Sequence, residues 1–380
     1  MNDSGHHVGL NAHLLSGAAS YRSAGIHGYI VELLKRLPLA DARIRFTALA
    51  GPPSSSLIGQ MRVCLARWPT SRPAVRIIWE QLAQPFVAAR ERFDLLHGLA
   101  FVAPLICPCP TVVTVHDLSF ALFPEFFRGA NSVYLRLFTR ISCRRAVRII
   151  AVSENTRADV IRLYGVPGER IEAIPHGVDP AFCPRPAAEV AEFRRARSLP
   201  EHFILFVGTL EPRKNLGRLV EAFAKVRASA NDLRLVFVGG KGWYYDPIFS
   251  AVERLNLQDS VIFAGYVPNS DLPLWYNAAD AFAFPSHYEG FGMPVLEAMA
   301  CGTPTVTSLA SSLPEVAGDA ALMVPPDDIH ALADALDRTL TDTTLRQELR
   351  AKGIARAAPF TWEETARRTA AVYRRALTSM

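Results

Sequence analysis

The stretch HYEGFGMPVLE, residues 287–297, places two carboxylates, Glu289 and Glu297, around a glycine-rich turn. Gly290 and Gly292 let a backbone approach a ligand closely. Pro294 suits the first turn of a helix, where its missing N–H costs nothing. The free amides and dipole of such a helix start favour an anion such as phosphate. Glu297 falls about one turn inside the helix and can accept hydrogen bonds from vicinal hydroxyls such as those of a ribose. Glu289 lies outside the helix and can meet a second polyol. The acids would then hold hydroxyls while the backbone holds phosphate. A nucleoside diphosphate sugar offers both. The plain alternative is a strand–turn–helix connection with surface acids, and the spacing together with the glycines argues against it.

Three further stretches could join this chemistry. GTLEPRKN, residues 208–215, follows an apolar run and carries the adjacent cations Arg213 and Lys214. Cations in such a loop can neutralise a diphosphate and stabilise its charge as it leaves. Taken alone, they read equally well as a solvated pair. TVHDL, residues 114–118, puts His116 at a strand end, where it can orient or polarise a substrate, and Asp117 beside it, where it can meet an acceptor hydroxyl. A lone histidine is more often structural. SAGIHGY, residues 23–29, has Gly25 and Gly28, whose amides could face a phosphate at a helix start. It is not the G-x-G-x-x-G of a dinucleotide site, and the sequence has no G-x-x-x-x-G-K-[ST] loop. It also lacks a D-x-D pair, an H-E-x-x-H and a G-x-S-x-G. Neither a metal nor another cofactor is therefore expected, and the cationic side chains must act in a metal's place.

The elements that must position these residues alternate in type. Short apolar runs at 8–10, 45–50, 95–97, 111–115, 149–152 and 171–174 read as strands, as do those at 203–207, 233–238, 261–264, 281–284, 305–307 and 321–323. Amphipathic segments such as 217–230 and 331–339 lie between them. This alternation predicts an α/β chain with two parallel-sheet, Rossmann-like domains. The Pro- and Gly-rich stretch 174–186 reads as the linker. The expected division is 1–183 and 184–359, with a terminal segment from 360 to 380. Ligands of open α/β sheets bind beyond the carboxyl ends of strands. The motifs fall in loops after strands, so two such domains facing each other would hold them across a cleft.

Composition narrows the class. The chain has 380 residues, half of them hydrophobic and 20% charged, which suits two folded domains and excludes wholesale disorder. No apolar run reaches membrane-spanning length, and the first residues do not read as a secretory signal. Six cysteines without a C-x-x-C pair fit reduced thiols and a cytoplasmic setting. The net charge is +5, concentrated in residues 1–183, where 20 Lys and Arg face 13 Asp and Glu. A basic face of this kind suits an anionic partner or simply a solvated surface. Residues 130–148 set Arg136, Arg140, Arg144, Arg145 and Arg148 among apolar side chains. Such a helix can lie on an anionic membrane, or pack its apolar face on a sheet with its arginines in water.

Together these stretches resemble family 4 of the retaining glycosyltransferases, which have the GT-B fold. The matching pieces are SAGIHGY, TVHDLSF, AVSENTRADVIRLYGVPGERIEAIPHGVD, FVGTLEPRKNL, HYEGFGMPVLEAMACGTPTVTS and LPEVAGDAA, in the family's order over nearly the whole chain. The Glu289-x7-Glu297 spacing is the most specific of them. The resemblance implies retaining, metal-independent transfer of a hexose from a nucleotide sugar. It implies that Glu289 contacts the donor sugar and Glu297 the ribose, and that Arg213 and Lys214 meet the diphosphate. His116 would lie near the transferred sugar and Gly25 near phosphate, with the amides of Phe291, Gly292 and Met293 approaching both. Many members carry Arg where this chain has Thr209, which leaves Arg213 as a substitute. Members also end in a helix that crosses back to the N-terminal domain, and 360–377 has the length and pattern for it.

The motif wording is similar to that of bacterial mannosyltransferases of polysaccharide assembly, which points to GDP-mannose, although UDP-sugar donors use the same motifs. The acceptor would be a glycan or a lipid-linked sugar, not a nucleic acid. A peripheral place on the inner membrane face would suit it. Two rivals are a nucleotide-sugar 2-epimerase of the same fold and a nucleotide-sugar-binding scaffold without turnover. A dehydrogenase is a distant third, lacking its fingerprint.

Overall fold

The structure is a computed structural model that describes residues 5–15, 24–51, 61–66, 68–126, 130–228, 231–242 and 245–378. The chain forms two units, Met1–Gly177 with Phe360–Met380, and Val178–Pro359. The division falls six residues ahead of the expected 183/184 boundary, inside the Pro- and Gly-rich stretch, and the terminal segment groups with the first unit.

The first unit contains a parallel sheet of seven strands: β1 (His7–Asn11), β2 (Arg45–Ala50), β3 (Arg62–Leu65), β4 (Leu95–Gly98), β5 (Thr111–Val115), β6 (Arg148–Ala151) and β7 (Ile171–Ala173). Their order is β3-β2-β1-β4-β5-β6-β7. The second contains six: β8 (His202–Val207), β9 (Leu233–Val238), β10 (Val261–Gly265), β11 (Ala281–Phe284), β12 (Thr305–Ser308) and β13 (Leu322–Val324), in the order β10-β9-β8-β11-β12-β13. The runs VVTV of β5 and FILFV of β8 are buried throughout, as sheets covered on both faces require. Strand β3 was not expected from the sequence. Its four residues RVCL are exposed or half-buried at the sheet edge, so they lack a continuous apolar signature.

In each sheet the strand order reverses once. The reversal lies between β1 and β4 in the first sheet and between β8 and β11 in the second. Loops after those strands diverge and leave a crevice for a ligand.

The terminal helix Trp362–Thr378 packs within the first unit through an apolar face that includes Ala366, Ala370 and Tyr373. Its polar anchors include Tyr373, whose hydroxyl lies 2.6 Å from His97 Nδ1, and Arg374, 2.7 Å from Asp41. A side chain at Gly177 would put its Cβ 2.1 Å from the Trp362 nitrogen, so only glycine fits where the chain leaves this unit.

Candidate active site

The loop after β8 begins with Gly208 at φ 152°, passes through the short turn Pro212–Lys214 and ends at Asn215, which adopts φ 61°. Asn215 holds this loop in place. Its side-chain amide donates to the carbonyls of Pro285 at 3.1 Å and Pro326 at 2.6 Å, and the His287 amide donates to the Arg213 carbonyl at 2.9 Å. The loops after β8 and β11 are thereby joined, and their charged side chains meet. Lys214 Nζ lies 2.7 Å from Glu289 Oε1 and 4.8 Å from the Phe284 ring centre. Arg213 Nη1 lies 2.8 Å from Glu289 Oε2, and Nη2 lies 2.6 Å from Glu211. Arg213 also donates to the Tyr288 carbonyl.

The three side chains expected to meet the donor, Arg213, Lys214 and Glu289, are thus drawn into one cluster. All three are largely buried and already hold one another. The reason is that buried charge must be paired. Burial pushes the Glu289 carboxyl up, but Arg213 and Lys214 outweigh it and bring it down to about 2. Burial also pulls the Lys214 ammonium below its ordinary range, with Glu289 opposing. Thr209 is half-buried, against Gly242.

The second part of the site is the turn 289–293. Gly292 is the N-cap of the helix Met293–Ala300 and has φ 118°, a conformation that favours glycine. A Cβ there would lie 2.9 Å from Leu313 Cδ2. Gly292 and Met293 contribute amides of the kind a helix leaves unpaired at its start, while Pro294 has none. Phe291 is buried beneath the turn. Ser311 and Ser312 brace it. The Glu289 amide donates to Ser311 Oγ at 2.7 Å, and the Ser312 hydroxyl reaches the carbonyls of Glu289 at 2.9 Å and Phe291 at 2.6 Å. Glu297, one turn into the helix, is half-buried and accepts from the Tyr276 hydroxyl at 2.8 Å. Burial pushes its carboxyl up to about 7; the Tyr276 hydrogen bond opposes this and Asp179 adds to it.

Sequence reasoning missed Glu211, Tyr276, Ser311 and Ser312. Glu211 sits inside the quoted GTLEPRKN, where a single acid beside two cations carries no signal of its own. The serines precede LPEVAG and read as a plain linker. Tyr276 lies in an apolar helical run where nothing marks its hydroxyl.

In the first unit His116 follows β5 and is buried. Its Nε2 lies 2.9 Å from the Leu99 carbonyl, and its ring stands edge-on to Tyr29 at 4.8 Å and stacks on His176 at 5.6 Å. Burial pulls it down to about 4, against the Leu99 carbonyl and Asp117. A polar chain passes close by: Tyr29 to Thr114 at 2.9 Å, Thr114 to His97 at 2.8 Å, and His97 to Tyr373. Asp117 is turned to local work, accepting from the Ser119 amide at 3.0 Å and its hydroxyl at 2.7 Å. Gly25 lies in the first turn of the helix Ala24–Ala40, with open space where a side chain would be. Gly28 is a turn further in, where the helix ladder takes its amide, so it does not offer that amide to a phosphate. Ser23 lies outside the described residues. Among the described residues no group of three or more His, Cys, Asp or Glu could hold a metal ion.

Two family models match the chain: Glycosyltransferase Family 4 over residues 24–182 and Glycosyl transferases group 1 over residues 189–356. The O-antigen chain mannosyltransferase B of Escherichia coli is 32% identical over 370 residues, covering 93% of this chain and 97% of that protein. The chain belongs to glycosyltransferase family 4. It is a glycosyltransferase, related to mannosyltransferases. The GT-B fold is seen in the likeness to sucrose-phosphate synthase of Thermosynechococcus elongatus, with TM-score 0.78 and 24% identity over 99% of this chain and 100% of that one. It is seen again in Anabaena HepE, whose structure is in complex with UDP and glucose, with TM-score 0.75 and 20% identity over 99% and 100%. For this family-4 chain, the buried Lys214–Glu289–Arg213 cluster and the turn 289–293 are the candidate donor site.

Proposed function

We propose that the protein moves mannose from GDP-mannose to a glycan or lipid-linked acceptor in polysaccharide assembly, with retention at the anomeric carbon and without a metal. The observation that carries this reading is the buried cluster of Lys214, Arg213 and Glu289 beside the amino end of the helix Met293–Ala300. The two cations and the acids Glu211 and Glu289 cancel in charge. A diphosphate then adds a further anion to cations that Glu289 keeps aimed, and the amides of Gly292 and Met293 add to its hold. Glu297 takes the ribose hydroxyls. As the sugar leaves, charge grows on the diphosphate, and Lys214 and Arg213 stabilise it in a dry setting where that stabilisation is largest. The leaving phosphate oxygen takes the acceptor proton, and the hydroxyl attacks from the same face.

The name of the Escherichia coli relative supports mannose, and the UDP and glucose of HepE support a nucleotide sugar. The 2-epimerase and scaffold readings gain nothing from relatives that are named as transferases. The test is calorimetry with GDP, UDP, ADP and their sugars, with and without magnesium, followed by NMR of the product's anomeric centre. Selective magnesium-independent binding of GDP-mannose and an α-linked product are expected. Selectivity for UDP would overturn mannose and keep the family.

The membrane part of the reading rests on the helix Ala130–Arg145. Tyr134, Leu135 and Phe138 pack inward, while Val133 and Leu137 remain 65% and 52% exposed beside exposed Arg136 and Arg140. Arg148 is not part of it, since it begins β6 and donates to the Glu169 carbonyl. Apolar and cationic side chains sharing one outer face suit an anionic bilayer. Among the described residues no helix is long and apolar enough to cross a membrane. Failure to bind liposomes containing anionic lipid at low salt would sink this part.

A further inference from the structure

The stretch PLICPCP, residues 104–110, lies between β4 and β5 and takes no part in the chemistry described so far. It carries two of the six cysteines, Cys107 and Cys109, separated by Pro108. Proline has a fixed φ and keeps the residue before it extended, so the chain between the two thiols has little freedom. The backbone bends at Pro108 and Cys109, and the two sulfurs stand 3.6 Å apart. Both flanks of the pair are tied down. The Leu105 amide donates to Gln81 Oε1 at 3.0 Å, and the Pro110 carbonyl accepts from the Leu96 amide at 3.0 Å. The thiols are half-buried against the cluster that holds Leu49, Trp79 and Phe93, while Ile106 and Pro108 beside them are exposed. The pair stands ahead of β5, whereas His116 follows that strand.

Two thiols held this way can close into a disulfide or join a thiolate metal site. A closed structural site takes four ligands. Among the described residues no group of three or more His, Cys, Asp or Glu could hold a metal ion, so the pair lacks the further ligands. The disulfide asks only that the sulfurs approach from 3.6 Å to about 2.05 Å. A ring closed over a single residue is strained, and strained disulfides are the labile, reversible ones. The two thiols are also unequal. When Cys107 ionises, Cys109 donates to it, and this pulls the Cys107 thiol below its ordinary range, against burial. The same bond pushes Cys109 up, with burial, the Cys107 charge and Asp94 adding to it. The thiolate is the attacking form, which makes Cys107 the nucleophile and Cys109 the resolving thiol. Cys143 is the contrast, a fully buried thiol that burial pushes up to about 12.

We propose that Cys107 and Cys109 form a reversible thiol–disulfide site in the first unit, with a small disulfide such as oxidised glutathione as its oxidant. The Cys107 thiolate attacks one sulfur of the small disulfide, forms a mixed disulfide and releases one thiolate. Cys109 gives its proton to water, attacks the Cys107 sulfur and releases the second. One S–S bond breaks and one remains, the two protein thiols are oxidised, and the small disulfide is reduced to two thiols. None of this depends on which sugar the protein transfers. The test incubates the reduced full-length protein in oxidised glutathione, alkylates the remaining thiols after denaturation and weighs the tryptic peptides. The wild-type peptide that holds both cysteines should become two hydrogens lighter, carry no glutathione and return to its reduced mass in dithiothreitol. In Cys109→Ser, where serine keeps a donor beside Cys107, glutathione should accumulate on Cys107. In Cys107→Ser, modification of Cys109 should be roughly tenfold slower or more. Cys183, half-buried and 3.8 Å from the Ala181 carbonyl, is the control thiol in the same molecule. A wild-type peptide that stays reduced, or that carries glutathione with no internal disulfide, overturns the proposal. So does a Cys107 in Cys109→Ser that reacts no faster than Cys183. Protection of both thiols by Zn²⁺, with no disulfide formed in glutathione, would make the pair a metal site and overturn it as well. The wild-type arm needs no variant, so a substitution that folds poorly does not decide the result.

Discussion

Lys214 and Glu289 lie in loops 75 residues apart in sequence, yet their charged atoms meet at 2.7 Å with both side chains at most 9% exposed. The pair is assembled by Asn215 and by the His287 amide, which join the two loops, and not by attraction across solvent.

Lys214→Met should cut turnover by about 10²–10³-fold, the scale of removing one charge-stabilising donor from a dry site. It should also destabilise the fold, because breaking a buried ion pair costs about 3–5 kcal/mol. The two effects separate in a double variant. Lys214→Met leaves Arg213 alone against the two acids Glu211 and Glu289, so adding Glu289→Gln removes the excess carboxylate and should return part of the lost melting temperature while returning no turnover. Recovery of turnover would show that Lys214 is only structural.

Glu297, as the proposed ribose contact, should make nucleotide binding depend on pH. Its carboxyl stands near 7 in the protein without ligand, and ribose hydroxyls bind best to its ionised form. Affinity for GDP should rise with pH up to about 7 and level off above it, and in Glu297→Gln it should be flat and lower. The sign for stability is opposite. A carboxyl raised in the folded state favours folding at low pH, so its contribution is lost as pH rises from the unfolded value, 4.5, through 7. Calorimetry at pH 5.5, 6.5, 7.5 and 8.5 reads the binding arm. An affinity that does not change across that range would remove Glu297 from the ribose contact.

Tyr276→Phe deletes the hydroxyl that donates to Glu297 and opposes its upward shift. The midpoint of the binding profile should therefore move to higher pH, with GDP affinity above pH 8.5 little changed. A midpoint that stays in place, or moves down, would mean that Tyr276 does not control the acid.

The two-sheet fold was legible because buried parallel strands must be apolar throughout. Four of them, 45–50, 111–115, 233–238 and 281–284, coincide with the apolar runs. The edge strand β3 was not legible, because one polar side of an edge leaves no such run. At the site, glycine spacing foretold the turn at Gly292, whose φ of 118° is a local matter. The pairing of Glu289 with Lys214 and Arg213 was not foretold, because it depends on how far two distant loops are drawn together. The same holds for Ser311 and Ser312, whose hydroxyls act on backbone more than 20 residues away.

His116 leads to a prediction about what does not titrate. Its Nε2 faces the Leu99 carbonyl, which can only accept, so that nitrogen carries the proton in the neutral ring. Burial holds the ring's pKa near 4, so it is neutral through the working range and cannot serve as a base titrating near 6.5. The pH–rate profile of the wild type should show no limb from His116 between pH 5.5 and 7.5. His116→Ala should lower turnover, if the ring touches the sugar, without moving any limb that the wild type shows. The stability arm has a definite sign as well. His13, His97 and His116 stand at about 3, 3 and 4 in the folded chain against an ordinary 6.5. The unfolded chain therefore binds more protons between those values. Stability is full above 6.5 and falls as pH drops through 4, by up to about 1.4 kcal/mol per pH unit for each histidine. Urea unfolding at pH 7, 6, 5 and 4.5 measures that slope, and His97→Gln should make it shallower. An acid limb near 6.5 that disappears in His116→Ala would contradict the neutral-ring assignment and return His116 to proton transfer.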